Sequence, residues 1–536
     1  MLRARSRGLV KLALTGGSLL ACAGVCASAQ AAPIGAYTTT GAYSFVSAPI
    51  LHPPRIATDA RGQGGKLAPG DFLVANFPNL LLTEPRKGVG VRMTGQSGPL
   101  ILDSHLQPVW FEPVPTNVVA MDLKQESYRG KPVLTWWQGG LTSTGAPTSG
   151  EVVVVDQHYH KLASVTGRDG WTISEHDAVI SGPDVWVTAY RLVPGQNLAP
   201  YGGLADGVVY DSAVQEYSLN TNRLLFTWDP LMDEHIPLAQ SKQPPASKPG
   251  PTGAPIPWDA YHVNSIQLTG NGTFLVSMRN TWAAYLVKKS TGDIEWTLSG
   301  NPKVSTFTVP AGASFAWQHD VELHPGNVVS MFDDACCALL PTGKFASASG
   351  PSHGLALKLH PTTRKASLLG KYGPLPEGVT GLPGSAFDSQ FLGNTELLPG
   401  GNVVVGWGSQ PFFSEYSKAG KLLFDAFWPR PDLSYRAYVD RWVGAPSQPP
   451  GGAASTSNGK TTVYASWNGA TRVAGWRVVA GPNPSRLPLV ATEGRSGFET
   501  VIAVNGSFEW LRVQAVDSKG HVLGTSPAFH PSQPHR

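Results

Sequence analysis

A short pattern of alternating polar and hydrophobic residues, followed by a glycine-containing turn and a strongly apolar segment, occurs four times along the chain. The first three copies place His176, His262 and His319 near the start of the pattern, and the fourth has Asn394 there. Alternation with a period of two predicts strands, and the glycine turn predicts a hairpin. A repeat that brings imidazoles to one structural position predicts a shared site. The copies are SEHDAVISGPDVWVTAY (174–190), YHVNSIQLTGNGTFLVSMRN (261–280), FAWQHDVELHPGNVVSMFDD (315–334) and GNTELLPGGNVVVGWG (393–408).

A second pattern, consisting of a strand, a polar turn and another strand, predicts six outer hairpins. They lie roughly 50 to 70 residues apart, which is typical of the blades of a β-propeller. The histidine-bearing hairpins lie between them and would supply inner strands, whose first residues gather at one mouth of a central channel. One large β-sandwich, or several stacked ones, is the alternative, but it does not explain six similar hairpins. The six segments are 100–111, 152–165, 214–228, 283–298, 355–370 and 413–428.

The sequence therefore predicts an all-β protein, a six-bladed β-propeller followed by a small fibronectin III- or immunoglobulin-like β-sandwich. Residues 72–84 are expected to pair with the last blade, which protects the sheet edges there. Trp467 and Trp476 are expected to fill the core of the sandwich. The expected divisions are a signal peptide (1–31), an N-terminal extension that partly closes the propeller (32–95), the propeller (96–444), a linker rich in Pro, Gly and Ser (445–461) and the sandwich (462–536).

The first 31 residues have the features of an export signal. Basic residues at positions 3, 5, 7 and 11 accompany an apolar stretch from Leu9 to Val25, and Ala29-Gln30-Ala31 fits a cleavage site. We therefore expect a secreted or extracytoplasmic protein without a membrane span. A lipoprotein anchored at Cys22 is the alternative, because Leu19-Leu20-Ala21 precedes that cysteine.

Net charge gives no reason to expect a nucleic-acid partner. The chain has 41 Lys and Arg residues and 37 Asp and Glu residues, and the signal segment removes four basic and no acidic residues, which leaves 37 of each sign. Outside the cytoplasm, the adjacent Cys336 and Cys337 could form a vicinal disulfide, stay as two thiols or link two chains. No cysteine and histidine spacing fits a metal site, so no metal and no cofactor are expected.

His319 is the first candidate for chemistry, because a histidine on a strand near a channel mouth suits nucleophilic or acid–base work. Asp320 follows it directly, and on a regular strand it would face the other way and would not orient the imidazole. His262 and Asn264 share one face of their strand and could bind the oxygens of an anion. His353 precedes an outer strand and either reaches the mouth or is an exposed loop residue. A hydrogen-bonded core histidine is the alternative for each imidazole.

Several motifs, in order, resemble the actinobacterial branch of the arylsulfotransferase family. They are DAYHVNSIQL with RNTWAAYLV and TGDIEW (259–296), WQHD followed by FDD (317–334), LPGGNVVVGWG with FSEY (398–416) and SYRAY (434–438). The resemblance covers about 96–444 and implies a six-bladed propeller that moves a sulfuryl group from a phenolic sulfate ester to a phenol through a sulfated histidine. It implies that His262 and His319 are site histidines and that Asn264 is a nearby polar residue.

Two positions depart from the family pattern. The stretch matched to the sulfated histidine holds Asn394, and an amide cannot replace an imidazole as nucleophile. An arginine usual before the fifth outer strand is matched by His353. The nucleophile is therefore expected to be His319, His262 or His353, unless the alignment of that blade is misplaced.

The expected roles follow from the resemblance. His319 would be the nucleophile or general acid–base, with His262, His353 and Asn264 as ligands of the sulfuryl oxygens. Trp317 and Trp407 would be aromatic walls for the phenol, and His176 and Asn394 would complete the substrate site. A non-catalytic propeller that binds an anionic or aromatic ligand is the main alternative. A quinone-dependent dehydrogenase rests only on the adjacent cysteines.

Overall fold

The computed structural model describes residues 41–58, 66–78, 93–142, 145–335, 351–373 and 389–532. In these ranges the chain forms β-sheets joined by turns, which confirms the all-β prediction. The predicted signal peptide with Cys22, and the adjacent Cys336 and Cys337, lie outside the described residues. The described helices are single 3₁₀ turns at Ala199–Tyr201, Leu238–Gln240, Arg279–Thr281 and Ala311–Ala313. None of them has the length and apolar character needed to cross a membrane.

The first half of the described chain forms antiparallel four-stranded sheets. Before them come β1 (Ala57–Thr58), β2 (Asp71–Pro78), β3 (Gly98–Leu102) and β4 (Pro108–Phe111). One sheet consists of β5 (Val119–Tyr128), β6 (Lys131–Leu141), β7 (Pro147–Val155) and β8 (Lys161–Thr166). The next consists of β9 (Thr172–Ser181), β10 (Asp184–Gln196), β11 (Gly207–Ser218) and β12 (Leu224–Trp228), with the short β13 (Trp258–Asp259) parallel to β11.

Three further sheets follow in the same strand order. They are β14 (Val263–Gly270), β15 (Thr273–Met278), β16 (Ala283–Lys288) and β17 (Ile294–Ser299); β18 (His319–His324), β19 (Val328–Asp333), β20 (His353–His360) and β21 (Lys365–Tyr372); and β22 (Asn394–Leu397), β23 (Val403–Gly406), β24 (Phe412–Tyr416) and β25 (Leu422–Phe427). β1 pairs with β25 at the edge of the last of these.

A sheet built from both ends of this region completes the set. β26 (Asp432–Asp440) pairs with β2, and β3 and β4 follow in the order β26-β2-β3-β4. The first strands of the six sheets contact one another in a closed cycle, β5 to β9, β14, β18, β22, β26 and back to β5. Because the N-terminal strand β2 lies between β26 and β3, the cycle is closed by hydrogen bonds between distant parts of the chain.

The six predicted outer hairpins are confirmed as β3–β4, β7–β8, β11–β12, β16–β17, β20–β21 and β24–β25. The apolar runs in the first strand of these hairpins are buried on both faces, as in Val152–Val155 of β7 and the whole of β24. Sheets that pack face to face bury both sides of a strand. Such a strand therefore has a continuous apolar sequence and not an alternation of polar and apolar residues. The packed interiors lie between successive sheets, and the polar first strands are left to line the centre.

The C-terminal residues form a separate pair of sheets. β27 (Gly451–Ser457), β28 (Lys460–Ser466) and β31 (Glu499–Asn505) make one sheet. β30 (Leu489–Gly494), β29 (Gly475–Gly481), β32 (Trp510–Val516) and β33 (Val522–Thr525) make the other. Trp476 is buried between them with Val463, Val478 and Ile502, and Trp467 packs at the edge of this core.

The segment predicted to be a linker is structured from Gly451 onward. Its small residues form β27, which pairs along its length with β28. Pairing uses only the backbone, and a Cβ at Gly452 would lie 2.4 Å from the Phe529 ring, so the small side chain permits this packing. Asn468 of the C-terminal sheets also bonds the N–H and C=O of Phe111 on β4 at 3.0 and 2.8 Å.

Arg436 of β26 lies fully buried at the centre of the cycle of first strands. Its Nη1 is 3.2 Å from Asp122 Oδ1, 3.4 Å from Asp177 Oδ1 and 3.2 Å from Asp320 Oδ1. Its Nη2 donates to the carbonyl of Asn264 at 2.8 Å. One side chain therefore joins β26 to β5, β9, β14 and β18.

Replacing Arg436 by Met should destabilise the protein by roughly 3–5 kcal/mol, because three buried carboxylates lose their shared cation. The measurement is the free energy of unfolding in urea. Arg441→Met, at an exposed position one residue after β26, is the matched control and should change stability by less than about 0.5 kcal/mol. Equal effects of the two changes would show that the central ion cluster contributes little.

Candidate functional site

The structure brings together the three histidines that the repeat predicted. His176 lies in β9, His262 directly precedes β14 and His319 begins β18. His176 Nε2 is 3.1 Å from His262 Nε2, and one ligand nitrogen of each ring lies within 4.8 Å of the others. The ring centroids of His262 and His319 are 6.2 Å apart. We call these residues the histidine cluster.

Each imidazole of the cluster is held at Nδ1 by a partner of its own. His262 Nδ1 contacts the Asp259 carboxylate, and His319 Nδ1 lies 2.8 Å from Asp334 Oδ2. His176 Nδ1 lies 2.5 Å from the hydroxyl of Ser174. A histidine whose Nδ1–H is donated to a carboxylate keeps a lone pair on Nε2. All three Nε2 atoms are thereby oriented away from these partners.

The hydrogen bonds assign the protons within the cluster. With the proton of His262 on Nδ1, the 3.1 Å contact requires His176 Nε2–H to donate to His262 Nε2. The Ser174 hydroxyl then donates to His176 Nδ1. His319 Nε2 accepts the backbone N–H of Leu392 at 3.3 Å. The cluster is thus a connected network in which His262 offers a lone pair.

Irregular backbone at the start of the inner strands aims these side chains. His262, Trp317 and Asp320 have left-handed φ angles of 57°, 61° and 54°. Such angles are costly for large side chains and persist where the surrounding structure fixes them, commonly at functional sites. A bulge between His319 and Glu322 breaks the register with β19. Asp320 consequently points to Arg436 and not to His319.

The three imidazoles differ in their exposure to solvent. The side chain of His262 is 25% exposed, whereas those of His176 and His319 are 3% and 0% exposed. Burial lowers the pKa of His176 and of His319 well below the ordinary value, because the charged form is poorly solvated there, and the neighbouring His262 and Arg279 lower both further. Both rings are neutral near pH 7. Burial also raises the pKa of Glu175, beside His176, to about 8.

A buried arginine and two tryptophans lie beside the cluster. Arg279 Nε is 3.6 Å from Asp334 Oδ2, and its guanidinium carbon is 4.9 Å from the centroid of the Trp317 ring. Trp317 meets Trp282 edge to face at 5.3 Å. Trp317 is buried, and Trp282 is partly exposed. The site therefore combines a cation with an aromatic surface.

Two tyrosines enclose the histidines. The ring of Tyr435 meets His176 at 5.8 Å and His319 at 6.3 Å, both edge to face. Tyr190 lies 6.0 Å from His176 and 6.4 Å from His262. Burial raises the pKa of both phenols well above the ordinary value, so both stay protonated at neutral pH. Their O–H groups donate to the carbonyls of Val263 and Asn264, at 3.4 Å each, and their rings restrict water around the imidazoles.

The two predicted asparagines make hydrogen bonds to backbone groups. Asn264 is fully buried, and its Nδ2 donates to Gln318 O at 2.7 Å. Asn394 donates to Ala437 O at 2.7 Å and accepts the N–H groups of Gly406 and Ala437 at 3.1 and 3.0 Å. Asn394 therefore joins β22 to β23 and β26.

The other two predicted residues make their contacts away from the cluster. His353 Nδ1 bonds Pro351 O at 3.0 Å, and its Nε2 lies 3.7 Å from Asp333 Oδ2. Trp407 is buried against Phe332 and donates its indole N–H to Ser414 at 2.9 Å. Trp407 therefore belongs to the core between two sheets.

Sequence reasoning missed the partners of the histidines. Asp259, Arg279 and Tyr435 were not singled out, although they stand inside the motifs DAYHVNSIQL, RNTW and SYRAY. Asp334 lies in the FDD motif. The signal was the presence of charged residues next to strongly apolar strands, since such residues are buried only when they are paired.

Comparison with solved structures gives only distant likenesses. A protein of unknown function from Bacteroides caccae is 10% identical, with 69% of this chain and 98% of that chain covered, at a TM-score of 0.36. A putative 6-phosphogluconolactonase from Bacteroides fragilis NCTC 9343 is 10% identical, with 69% of this chain and 98% of that chain covered, at a TM-score of 0.32. The Dos1 propeller is 8% identical, with 69% of this chain and 72% of that chain covered, at a TM-score of 0.29. Such scores carry no argument about function, and a search of curated proteins gave no match.

The comparison with protein families matches more than half of the chain. The family model of the arylsulfotransferases (ASST) matches residues 124–428, which include the whole histidine cluster together with Asp259, Arg279 and Asp334. The chain therefore belongs to the arylsulfotransferase (ASST) family.

Proposed function

We propose that the protein transfers a sulfuryl group from a phenolic sulfate ester to a phenol, with His262 as the nucleophile. The observation that carries the proposal is the pair formed by Asp259 and His262. It combines an oriented imidazole with the largest exposure in the histidine cluster, 25% of the side chain. Membership of the arylsulfotransferase family supports phenolic substrates.

His262 suits the nucleophile's role better than His319, the candidate favoured by the sequence. His319 is fully buried, and its Nε2 accepts the backbone N–H of Leu392. The Nε2 lone pair of His262 instead accepts the N–H of His176, with 3.1 Å between the two Nε2 atoms. This hydrogen bond joins two side chains, so a substrate can displace it. Asp259 would stabilise the positive charge that develops on His262 as Nε2 attacks.

The transfer takes two displacements. In the first, the bond from His262 Nε2 to sulfur forms as the bond from sulfur to the donor's aryl oxygen breaks, and that oxygen keeps the electron pair. In the second, the oxygen of the acceptor phenol bonds to sulfur as the bond from sulfur to nitrogen breaks. The acceptor's proton passes to the released phenolate. One sulfate ester and one phenol give another ester and another phenol, without a redox partner or a nucleotide.

The neighbouring groups would stabilise charge on the sulfuryl oxygens. Once His262 Nε2 attacks sulfur, the N–H of His176 is released from it and can donate to a sulfuryl oxygen. Arg279 adds a cation next to Asp334 and His319. Donors fixed before the reaction stabilise a transition state without further reorganisation. The partly exposed Trp282, backed by Trp317, is the aromatic surface offered to the phenol.

The setting of this chemistry is also proposed. The closed cycle of first strands supports six blades of one propeller, with the histidine cluster at a mouth of its channel. The pair of three- and four-stranded sheets at the C-terminus supports a fibronectin III-like module. The signal features of residues 1–31 support export. His353 and Asn264 remain predicted contributors, with His353 outside the cluster's contacts.

We expect purified protein to transfer sulfate from 4-nitrophenyl sulfate to a phenol, releasing nitrophenol continuously when the acceptor is present and at most one equivalent per chain when it is absent. His262→Ala should lower turnover at least about 10³-fold, because it removes the nucleophile. Asp259→Asn should lower it roughly 10²-fold, since the imidazole loses its orienting carboxylate. Mass spectrometry of protein treated with donor alone should place one sulfuryl group on the peptide containing His262.

His324→Ala is the matched control, because His324 lies at the other end of β18 from the cluster and bonds Ser330. It should keep turnover within about twofold of wild type. Free imidazole should partly restore the activity of His262→Gly. Sulfation of His319 instead of His262 would contradict the assignment, and binding of the ester without any turnover would favour a non-catalytic propeller.

Asn394→Ala should lower the free energy of unfolding by roughly 2–4 kcal/mol, because it leaves one carbonyl and two N–H groups without their buried partner. Asn394→Ala should therefore shift the urea midpoint, while the sulfated peptide stays the one containing His262. A stable Asn394→Ala variant would show that these backbone groups find other partners.

A further inference from the structure

We propose that the histidine cluster binds one divalent transition metal ion, zinc in particular, and that the bound metal blocks sulfuryl transfer. This departs from the expectation that the chain has no metal site. Zinc–nitrogen bonds of about 2.0–2.1 Å in tetrahedral geometry place two ligand nitrogens roughly 3.3 Å apart. The Nε2 atoms of His176 and His262 are 3.1 Å apart, and a ring nitrogen of His319 completes a set within 4.8 Å.

The partners of the imidazoles match those of a metal site. Histidines that bind metals almost always donate their second ring N–H to a carboxylate or another acceptor, which orients the ring. Here Asp259 holds His262 and Asp334 holds His319, while the hydroxyl of Ser174 lies at His176. A core histidine needs one partner, whereas these three also bring one ring nitrogen each within 4.8 Å of the others.

Metal binding would replace two existing hydrogen bonds. The proton of His176 would move from Nε2 to Nδ1, and the Ser174 hydroxyl would change from donor to acceptor, which needs only a rotation. His319 would give up the N–H of Leu392, whose 3.3 Å distance lies beyond the usual range for such bonds. The third ring nitrogen must also move closer to the other two.

The ligand set selects the kind of ion. Imidazole nitrogens suit zinc, copper and nickel, whereas magnesium and calcium prefer oxygen ligands. Three histidines leave the fourth position of a tetrahedral site open. The exposed side of His262 is where water or an anion would occupy that position.

The inhibitory effect rests on the proposed function, whereas metal binding does not. A metal on His262 Nε2 occupies the lone pair that would attack sulfur. Binding of metal and formation of the sulfated histidine are therefore mutually exclusive. The cluster would transfer sulfate only when it is free of metal.

The binding test uses purified protein stripped with a chelator and titrated with Co²⁺ and Zn²⁺. We expect one ion per chain, with the visible absorption of four-coordinate Co²⁺ that Zn²⁺ abolishes. His176→Ala and His319→Ala should each weaken binding at least about 10-fold, and Asp259→Asn by about 10- to 100-fold. His324→Ala should bind as wild type does. Circular dichroism and urea unfolding establish that each variant is folded.

Absence of the Co²⁺ spectrum, or equal binding by the cluster variants, would overturn the metal site. Zinc should inhibit turnover of 4-nitrophenyl sulfate over the concentration range in which it binds, and chelator should restore the rate. Activation, or no effect despite binding, would overturn the blocking role alone. Protein that binds Co²⁺ but has no turnover when stripped would instead refute the proposed transferase function.

Discussion

A single buried guanidinium, that of Arg436, organises the centre of this protein. Six sheets can surround a common axis only if their polar first strands satisfy one another there, since water cannot solvate buried charges. Arg436 meets three aspartates from three sheets and a backbone carbonyl from a fourth. Lys124 adds a second cation, 3.2 Å from Asp122 and 2.5 Å from Asp177. The carboxylates are tolerated because these two cations pair them.

The same strand links this ion cluster to the histidines. Tyr435, the residue before Arg436, packs edge to face on His176 and His319. Asn264, whose carbonyl Arg436 binds, lies two residues after His262. A shift of β26 would therefore move the walls of the site. The ion cluster and the histidine cluster are therefore neighbours that share Tyr435 and Asn264 between them.

The hydrophobic pattern of the sequence predicted much of the fold. Irregular backbone and unusual composition prevented the prediction of the remaining strands. All six outer hairpins were readable, because apolar strands joined by polar turns keep their pattern in any sheet. The hairpin of β5 and β6 was missed, since KQESY at the end of β5 and WWQGGL at the end of β6 break the alternation. The start of the sandwich was missed because β27, of Gly, Ala, Ser and Thr, has the composition of a linker.

The site was predictable only in part, for a similar reason. Repetition identified the three histidines, but a period of two assumes a regular strand, and the left-handed residues break it. Glu322 shows the effect: after the bulge it pairs with Ser330, whereas His319 pairs with Phe332. Three residues of β18 thus span only two of β19 between those pairs. The partners Asp259, Asp334 and Arg279 come from turns and strand ends, where sequence gives no period to follow.

Asn394 does not exclude transfer, because a nucleophile's identity depends on geometry and not on which repeat supplies it. What the chemistry requires is an imidazole whose lone pair is bound only by a displaceable side chain, a carboxylate behind it and access for the ester. His262 satisfies all three through Asp259 and its partial exposure. Asn394 is committed to the backbone of β23 and β26. Its strand takes part in the closed cycle of first strands, and the imidazoles are concentrated at the strands β9, β14 and β18. That concentration also makes the cluster a potential metal ligand, since three imidazoles with ring nitrogens within 4.8 Å of one another compete for protons, sulfuryl groups and metal ions alike.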